Sequence, residues 1–385
     1  MPHEICWARK EKEQMLAGDS VPAAASQVES MQALADAFVK TIAALAKEGK
    51  LSLLIQGMLE HPGHEHVQAA ACEALAGLTE SDDNHRVKVA AEGGVGAIVG
   101  AMQRQPSAKV QAAACRALWY LARNADNRVK VAAEGGVGAI VSAMQNHPAD
   151  AKIQEAACNA LWNLPYNNAD NQVKVAAEGG VGAIVSALQN HPADAKIQEA
   201  ACGALRNLAH SNSDNKVKVA AEGGIGAIVT ALHRRPADAK VQEAACNALK
   251  NLTRNDSNTV RIAAEGGVGA IVTAMERHPT DAKIQEAACW ALNNLTWNNA
   301  DNRVKVAAEG GIGAIVSALQ NHPADAKVQE AACGALLNLT VNNDNKVKAK
   351  SAGAEDAVKR AMALQDATAK TKEKGQKVLD RLKNV

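Results

Sequence analysis

Aromatic side chains are almost missing: the 385 residues include one Phe, two Tyr and five Trp. A core without large rings must be built from small side chains on closely packed helices, and an Ala-rich composition favours helix over strand. Neither sign of charge is in excess, with 42 Lys and Arg against 41 Asp and Glu. That balance gives no general electrostatic drive toward nucleic acid or a membrane surface. Long apolar runs are absent too, none approaching the roughly 20 residues that span a bilayer. The opening MPHEICWARKEKEQ has no apolar signal core, so the expected location is the cytoplasm or nucleus.

What is there instead is repetition. Residues 127–170 and 171–214 are two blocks of 44 residues, NRVKVAAEGGVGAIVSAMQNHPADAKIQEAACNALWNLPYNNAD and NQVKVAAEGGVGAIVSALQNHPADAKIQEAACGALRNLAHSNSD. Self-similarity at a fixed period signals a stack of equal units rather than one globular core. Seven of the eight cysteines, Cys72, Cys115, Cys158, Cys202, Cys246, Cys289 and Cys333, recur once per unit. They are expected as a column of small buried thiols in a reducing compartment, not as disulfides or metal ligands. Cys6 stands outside the column.

Glycines punctuate each unit, as at Gly135/Gly136, Gly179/Gly180 and Gly223/Gly224. They fall where a short helix such as NRVKVAAE must stop and turn through left-handed dihedrals. A second helix such as VGAIVSALQN follows, with Ile184, Val185 and Leu188 on its apolar stripe, and a proline such as Pro148 or Pro192 ends it. Asp150, Asp194, Asp238, Asp281 and Asp325 are placed as N-caps of a third helix that buries Ile197, Ala201, Cys202, Leu205 and Leu208. Three short helices cannot each bury an apolar face within one unit, so neighbours must stack into a right-handed superhelical rod. The expected layout is a tail at 1–26 and an N-terminal capping unit at 27–82. Six repeats follow at 83–125, 126–169, 170–213, 214–255, 256–300 and 301–343. The chain closes with a capping unit at 344–385, whose 11 Lys and Arg against 6 Asp and Glu suit the polar outer face of a terminal repeat, or alternatively a basic contact surface.

The three-helix unit with its glycine break, together with EAACGALRNL and EAACWALNNL in the third helix, resembles the armadillo repeat of β-catenin, plakophilins and importin-α. The resemblance runs from about residue 30 to about 383 and implies an all-α solenoid whose third helices line a concave groove. It also implies that an asparagine ladder there holds the backbone of an extended peptide. Asn163, Asn207, Asn251, Asn294 and Asn338 occupy the matching position. An Asn amide offers a donor and an acceptor, which suits an unpaired peptide backbone; the alternative is that it bonds within its own helix or to a neighbouring turn. Tyr120 and Gly77 break the ladder at the front, so the groove is expected to be most competent from 159 to 341.

At about 100° per residue, positions four before, one before and three after the ladder Asn share its side of the helix. Otherwise near-identical repeats diverge in these columns. Four before are Arg116, Asn159, Gly203, Asn247, Trp290 and Gly334. One before are Trp119, Trp162, Arg206, Lys250, Asn293 and Leu337. Three after are Arg123, Tyr166, His210, Arg254, Trp297 and Val341. Four of the five tryptophans fall here, and aromatics and Arg carry interface energy. Drift on a tolerant surface would give a similar pattern. Only Trp290 with Asn294 matches the W-x-x-x-N pairing that importin-α uses for basic cargo, and the columns are otherwise basic. The expected partner is therefore an extended neutral or acidic peptide. A structural rod that assembles through its ends and convex face is the alternative, and importin-like cargo binding is a lesser one.

No catalytic constellation stands apart from the repeat, so neither enzymatic activity nor a cofactor is expected. His61, His147, His191, His278 and His322 form a column near helix C-termini, where they can meet the helix dipole. Successive members lie roughly 10 Å apart, too far to share a metal with bonds of about 2 Å. GGVGAI follows a helix and has no GK[ST], so it is not a phosphate loop. A monomer is expected, with end-to-end association open.

Overall fold

The computed structural model describes residues 37 and 39–383, residue 366 excepted. The tail at 1–26 and the start of the capping unit lie outside the described residues, including Met31, Leu34 and Phe38. The chain is helical over 39–47, where Ile42 is buried. From there three kinds of helix alternate, and no strand occurs among the described residues.

First helices are short: Asp83–Ala91, Ala125–Ala133, Ala169–Ala177, Ser213–Ala221, Asp256–Ala264, Ala300–Ala308 and Asn343–Ser351. Second helices are Leu51–Glu60, Gly94–Arg104, Gly136–Asn146, Gly180–Asn190, Gly224–Arg234, Gly267–Arg277, Gly311–Asn321 and Ala354–Ala363. Third helices are Glu65–Thr79, Ala108–Leu121, Ala151–Asn163, Ala195–Ala209, Ala239–Leu252, Ala282–Thr296, Ala326–Leu339 and Ala369–Leu382. Successive third helices pack along their lengths, successive second helices touch less, and first helices touch least. A stack that is tightest on one side curves toward that side, so the third helices form the inner layer of an all-α solenoid.

Local chemistry explains the boundaries. The first glycine of each pair takes the left-handed turn, as at Gly179 with φ 82°. The second lets two helices touch, for a Cβ on Gly180 would lie 2.5 Å from Val175 Cγ1 and 2.8 Å from the Val175 carbonyl oxygen. Asp150, Asp194, Asp238, Asp281 and Asp325 accept from backbone N–H groups of the third helices, as expected of N-caps. The seven column thiols are fully buried. Burial pushes Cys115, Cys202, Cys246 and Cys333 up to about 12, and Cys72, Cys158 and Cys289 further.

Two columns of buried amides tie helices together, an Asn column across successive repeats and a Gln column within each repeat, and neither was expected from the sequence. Asn127, Asn171, Asn215, Asn258, Asn302 and Asn345 on the first helices each donate to the preceding first helix; Asn215 Nδ2, for example, reaches Gln172 O at 3.1 Å and Leu208 O at 3.0 Å. On the third helices Gln68, Gln111, Gln154, Gln198, Gln242, Gln285 and Gln329 donate twice to carbonyls at the end of the second helix, as Gln198 does to Leu188 O at 2.8 Å and His191 O at 3.1 Å. Carbonyls at helix C-termini, such as Leu208 O and Leu188 O, lack intrahelical partners, and these side chains supply the missing donors, whereas first-helix carbonyls such as Gln172 O lie inside their helix and take the Asn as an additional donor. The histidine column bridges repeats as well: His147, His191, His278 and His322 place Nε2 2.8 to 3.0 Å from the carbonyl oxygen of a proline one repeat earlier. Direct bonding to the previous unit, rather than a dipole contact within its own helix, accounts for that column.

Candidate peptide-binding groove

The ladder asparagines sit near the ends of the inner helices, and their donors are already engaged. Asn163, Asn207, Asn251, Asn294 and Asn338 donate through Nδ2 to the carbonyls of Trp119, Trp162, Arg206, Lys250 and Asn293, at 3.3, 2.8, 2.9, 3.4 and 2.9 Å. The backbone explains why. The N–H groups of Arg123, Tyr166, His210 and Arg254 bond to Tyr120, Asn163, Asn207 and Asn251 instead of one residue earlier, leaving the four earlier carbonyls bypassed. The expectation that each amide offers both halves to a ligand is therefore corrected. Only Oδ1 remains, and no ladder Oδ1 is among the buried atoms without a partner, so each keeps access to solvent as a lone acceptor.

The neighbouring columns separate into buried and open groups. Tyr120 is buried, and its hydroxyl donates to Glu80 Oε1 at 2.9 Å; burial and then Glu80 push its phenol upward. Tyr120 thus braces the rod and does not belong on a ligand face. Trp119 stacks on it at 4.7 Å, and Arg123 donates to the Glu80 carbonyl. Asn159 and Asn247 turn back on their own helix, donating to Glu155 O and Glu243 O, so their amides are half spent. Trp162 lies over the next repeat, where a Cβ on Gly203 would be 2.6 Å from its ring. Trp290 is half-buried with the Lys374 ammonium 5.0 Å from its ring. Arg116, His210 and Arg254 are exposed, Arg206 and Lys250 half-buried. Tyr166 and Trp297 are open to solvent, Trp297 at 63 %, and the Arg128 guanidinium lies 5.3 Å from the Tyr166 ring.

Electrostatics differ along the layer. Lys196 pairs with Glu155 at 3.5 Å and Lys283 with Glu243 at 3.7 Å, so these two lysines, at the starts of third helices, are neutralised by the preceding repeat. Burial raises Glu199, opposed by Lys240. At the basic end of the columns burial lowers Lys250, opposed by Glu286 at 3.9 Å and reinforced by Arg206, Arg254 and Lys327. A notch of about 60 Å³ on the inner layer is lined by Trp162, Glu199, Gly203, Arg206, Lys240 and Glu243. A larger cavity of about 290 Å³ lies between second helices, but its lining has no charged group and it touches none of the divergent columns. The C-terminal unit closes the layer: Lys374 pairs with Glu330 at 3.2 Å, and Arg381 donates to the Leu337 carbonyl as a ladder Asn would. Among the described residues no group of His, Cys, Asp and Glu is arranged to hold a metal, and no helix is long and apolar enough to cross a membrane.

Comparison with known proteins agrees with this architecture. A family model described as LRRK2 ARM repeat matches residues 41–266, and the armadillo/beta-catenin-like repeat matches 255–297 and 299–341. No curated protein matches in sequence. An engineered protein is similar at 22% identity and TM-score 0.63, covering 94% of this chain and 97% of its own. A structure from work on a phosphorylation switch between cadherin and beta-catenin aligns at 21% identity and TM-score 0.76, covering 90% of this chain and 66% of that one. A designed armadillo repeat protein in complex with the peptide (KR)4 aligns at 21% identity and TM-score 0.55, covering 64% of this chain and 99% of its own. With a three-helix unit repeated along the whole described chain and family models covering most of it, the protein belongs to the armadillo-repeat family.

Proposed function

We propose that the protein is a non-enzymatic scaffold that binds an extended, neutral or acidic peptide along the inner layer between Asn163 and Asn338. The observation that carries this reading is where the repeats differ. Recurring buried positions are filled by the same amides, thiols and glycines, while three inner-face columns vary among Trp, Tyr, Arg, Lys, His and Gly. In this reading the ladder Oδ1 atoms accept from the peptide N–H groups, one bond per repeat, and the open Trp297, Tyr166, Arg116 and Arg254 side chains select side chains. A peptide array spanning acidic, neutral and basic sequences tests it. Wild type is expected to select acidic or neutral peptides, and the exposed charge reversals Arg116→Glu and Arg254→Glu to lose them. Selection of basic peptides of the (KR)4 type, unaffected by those changes, would refute the proposal.

One observation favours a second reading, assembly through the outer surface. Every first helix from Val87 to Val347 presents a valine 49 to 59 % exposed, an apolar row along one edge. Replacing Val173, Val217 and Val260 by Lys abolishes association in sedimentation velocity if the row joins copies. A wild-type protein that stays monomeric at high concentration removes this reading.

A further inference from the structure

Lys374 breaks a column that is otherwise uniform. The position is alanine in every preceding third helix, from Ala70 to Ala331, and becomes lysine only in helix Ala369–Leu382. An ammonium is well solvated in water, yet this one turns back along the inner layer. It pairs with Glu330 Oε1 at 3.2 Å, with the Lys374 side chain 23 % and that of Glu330 16 % exposed. It also lies 5.0 Å from the centre of the Trp290 ring.

The register explains how it gets there. Trp290 and Gly334 stand in the same column on successive inner helices, and the glycine leaves open the lane that Lys374 crosses. A Cβ on Gly334 would lie 3.6 Å from Lys374 Nζ and 3.0 Å from Asn293 Oδ1, so a side chain longer than a methyl would take the space that the ammonium holds. Glu330 is fastened in turn: its Oε2 accepts from Thr368 Oγ1 at 3.4 Å, and Lys370 lies 4.0 Å from its Oε1. A ring attracts a cation placed within about 6 Å of its face, and the carboxylate supplies the opposite charge. The other cation–ring contacts, Arg123 with Tyr120 and Arg128 with Tyr166, stay within one repeat or join two neighbours. This one reaches across the face of a helix, Ala326–Leu339, that lies between its partners.

We propose that Trp290, Glu330 and the lane over Gly334 form a seat for a cationic side chain, and that Lys374 is its built-in occupant. By filling the seat, the C-terminal unit shuts that end of the groove to the lysine and arginine side chains of a peptide. The proposal rests on the groove reading above and names what sets charge preference at one end of it. Elsewhere the divergent columns oppose cations with their own Arg and Lys; at Trp290 and Glu330 the layer would attract them, and Lys374 cancels that attraction. An incoming basic side chain must displace an ammonium tethered to the same molecule, which competes at a high effective concentration. A contact that only fastened the last helix would behave differently, since its loss would loosen the helix without creating a site.

Fluorescence anisotropy with the full chain tests this, using labelled (KR)4, which offers a cation at every register, and a neutral peptide of the same length. Lys374→Met keeps the bulk of the stem and removes the charge. It is expected to bind (KR)4 about tenfold tighter than wild type and the neutral peptide equally well. Lys374→Arg is expected to stay closed, and adding Trp290→Ala to Lys374→Met to abolish the gain. Lys372→Met removes an equal charge from an exposed position on the same helix and is expected to change little. An unchanged (KR)4 affinity in Lys374→Met, a gain matched by Lys372→Met, or a gain that survives Trp290→Ala would overturn the proposal. A second arm follows the Trp290 indole N–H by NMR during titration with methylguanidinium, without peptide. A shift is expected in Lys374→Met and not in wild type. That shift with no peptide held by any form supports the seat and sinks the groove; peptide binding without it sinks the seat and leaves the groove standing.

Discussion

Replacing Asn207 by Ala should open the junction between helices Ala151–Asn163 and Ala195–Ala209. The Trp162 carbonyl has no other donor: Tyr166 N–H bonds to Asn163 O at 3.0 Å, and residue 165 is a proline. Asn207 supplies its hydrogen bond at 2.8 Å from a side chain only 6 % exposed. Leaving such a carbonyl unpaired costs about 1–3 kcal/mol, and the better helix propensity of Ala returns roughly 0.5, for a net loss of about 0.5–2.5 kcal/mol. Asn251→Ala should match it, because the Arg206 carbonyl is likewise bypassed. Asn294→Ala and Asn338→Ala should cost less. The Lys250 carbonyl also accepts from Thr253 Oγ1 at 2.9 Å, and the Asn293 carbonyl from Trp297 N–H at 3.1 Å. Since each repeat contacts its neighbours only, the loss is local, and native-state hydrogen exchange at the affected junction should speed up about tenfold for each 1.4 kcal/mol. Four equal losses, or larger ones at Asn294 and Asn338, would refute the bypassed-carbonyl account.

Gly203→Val drives a side chain into the Trp162 ring and should destabilise by about 1–3 kcal/mol, with a shift in tryptophan emission; Trp162→Ala in the same chain should recover most of it. Gly180→Ala meets Val175 backbone as well as side chain and should lower the urea midpoint. Gly135→Ala, with nothing within 4 Å of its added Cβ but φ 83°, should cost about 1–2 kcal/mol through its dihedral alone. The seven column cysteines should resist a thiol reagent at pH 8, because burial holds their titration far above that pH, and react together on unfolding. A column thiol that reacts before unfolding would contradict its packing.

The architecture was legible because its signals are local and repeated. Gly-Gly pairs, the Asp before AK, the prolines and the cysteine spacing each state a rule within a few residues, and each appears where expected. The ladder was half legible. That Asn recurs at one interior position is visible in the chain, but its donor goes to a carbonyl one repeat earlier, bypassed by a hydrogen bond that no spacing reveals. The amide columns at Asn215 and Gln198 were missed although their recurrence is as regular as that of the cysteines. Weighing every repeating polar residue as a possible staple, before assigning any to a ligand, would have found them.

The staples have a consequence for length. Every first-helix Asn and every ladder Asn reaches one unit back and finds a main-chain carbonyl, a group that all sequences share. Excising residues 171–214 would bring Asn215 against the carbonyl of Arg128, which Asn171 now occupies, and Asn251 against that of Trp162, now held by Asn207. Adding a block works the same way. In its main-chain hydrogen bonds the molecule is therefore a ruler that can be cut or extended in whole divisions, and duplication or loss of one division changes reach while leaving every remaining first-helix and ladder Asn with a carbonyl partner.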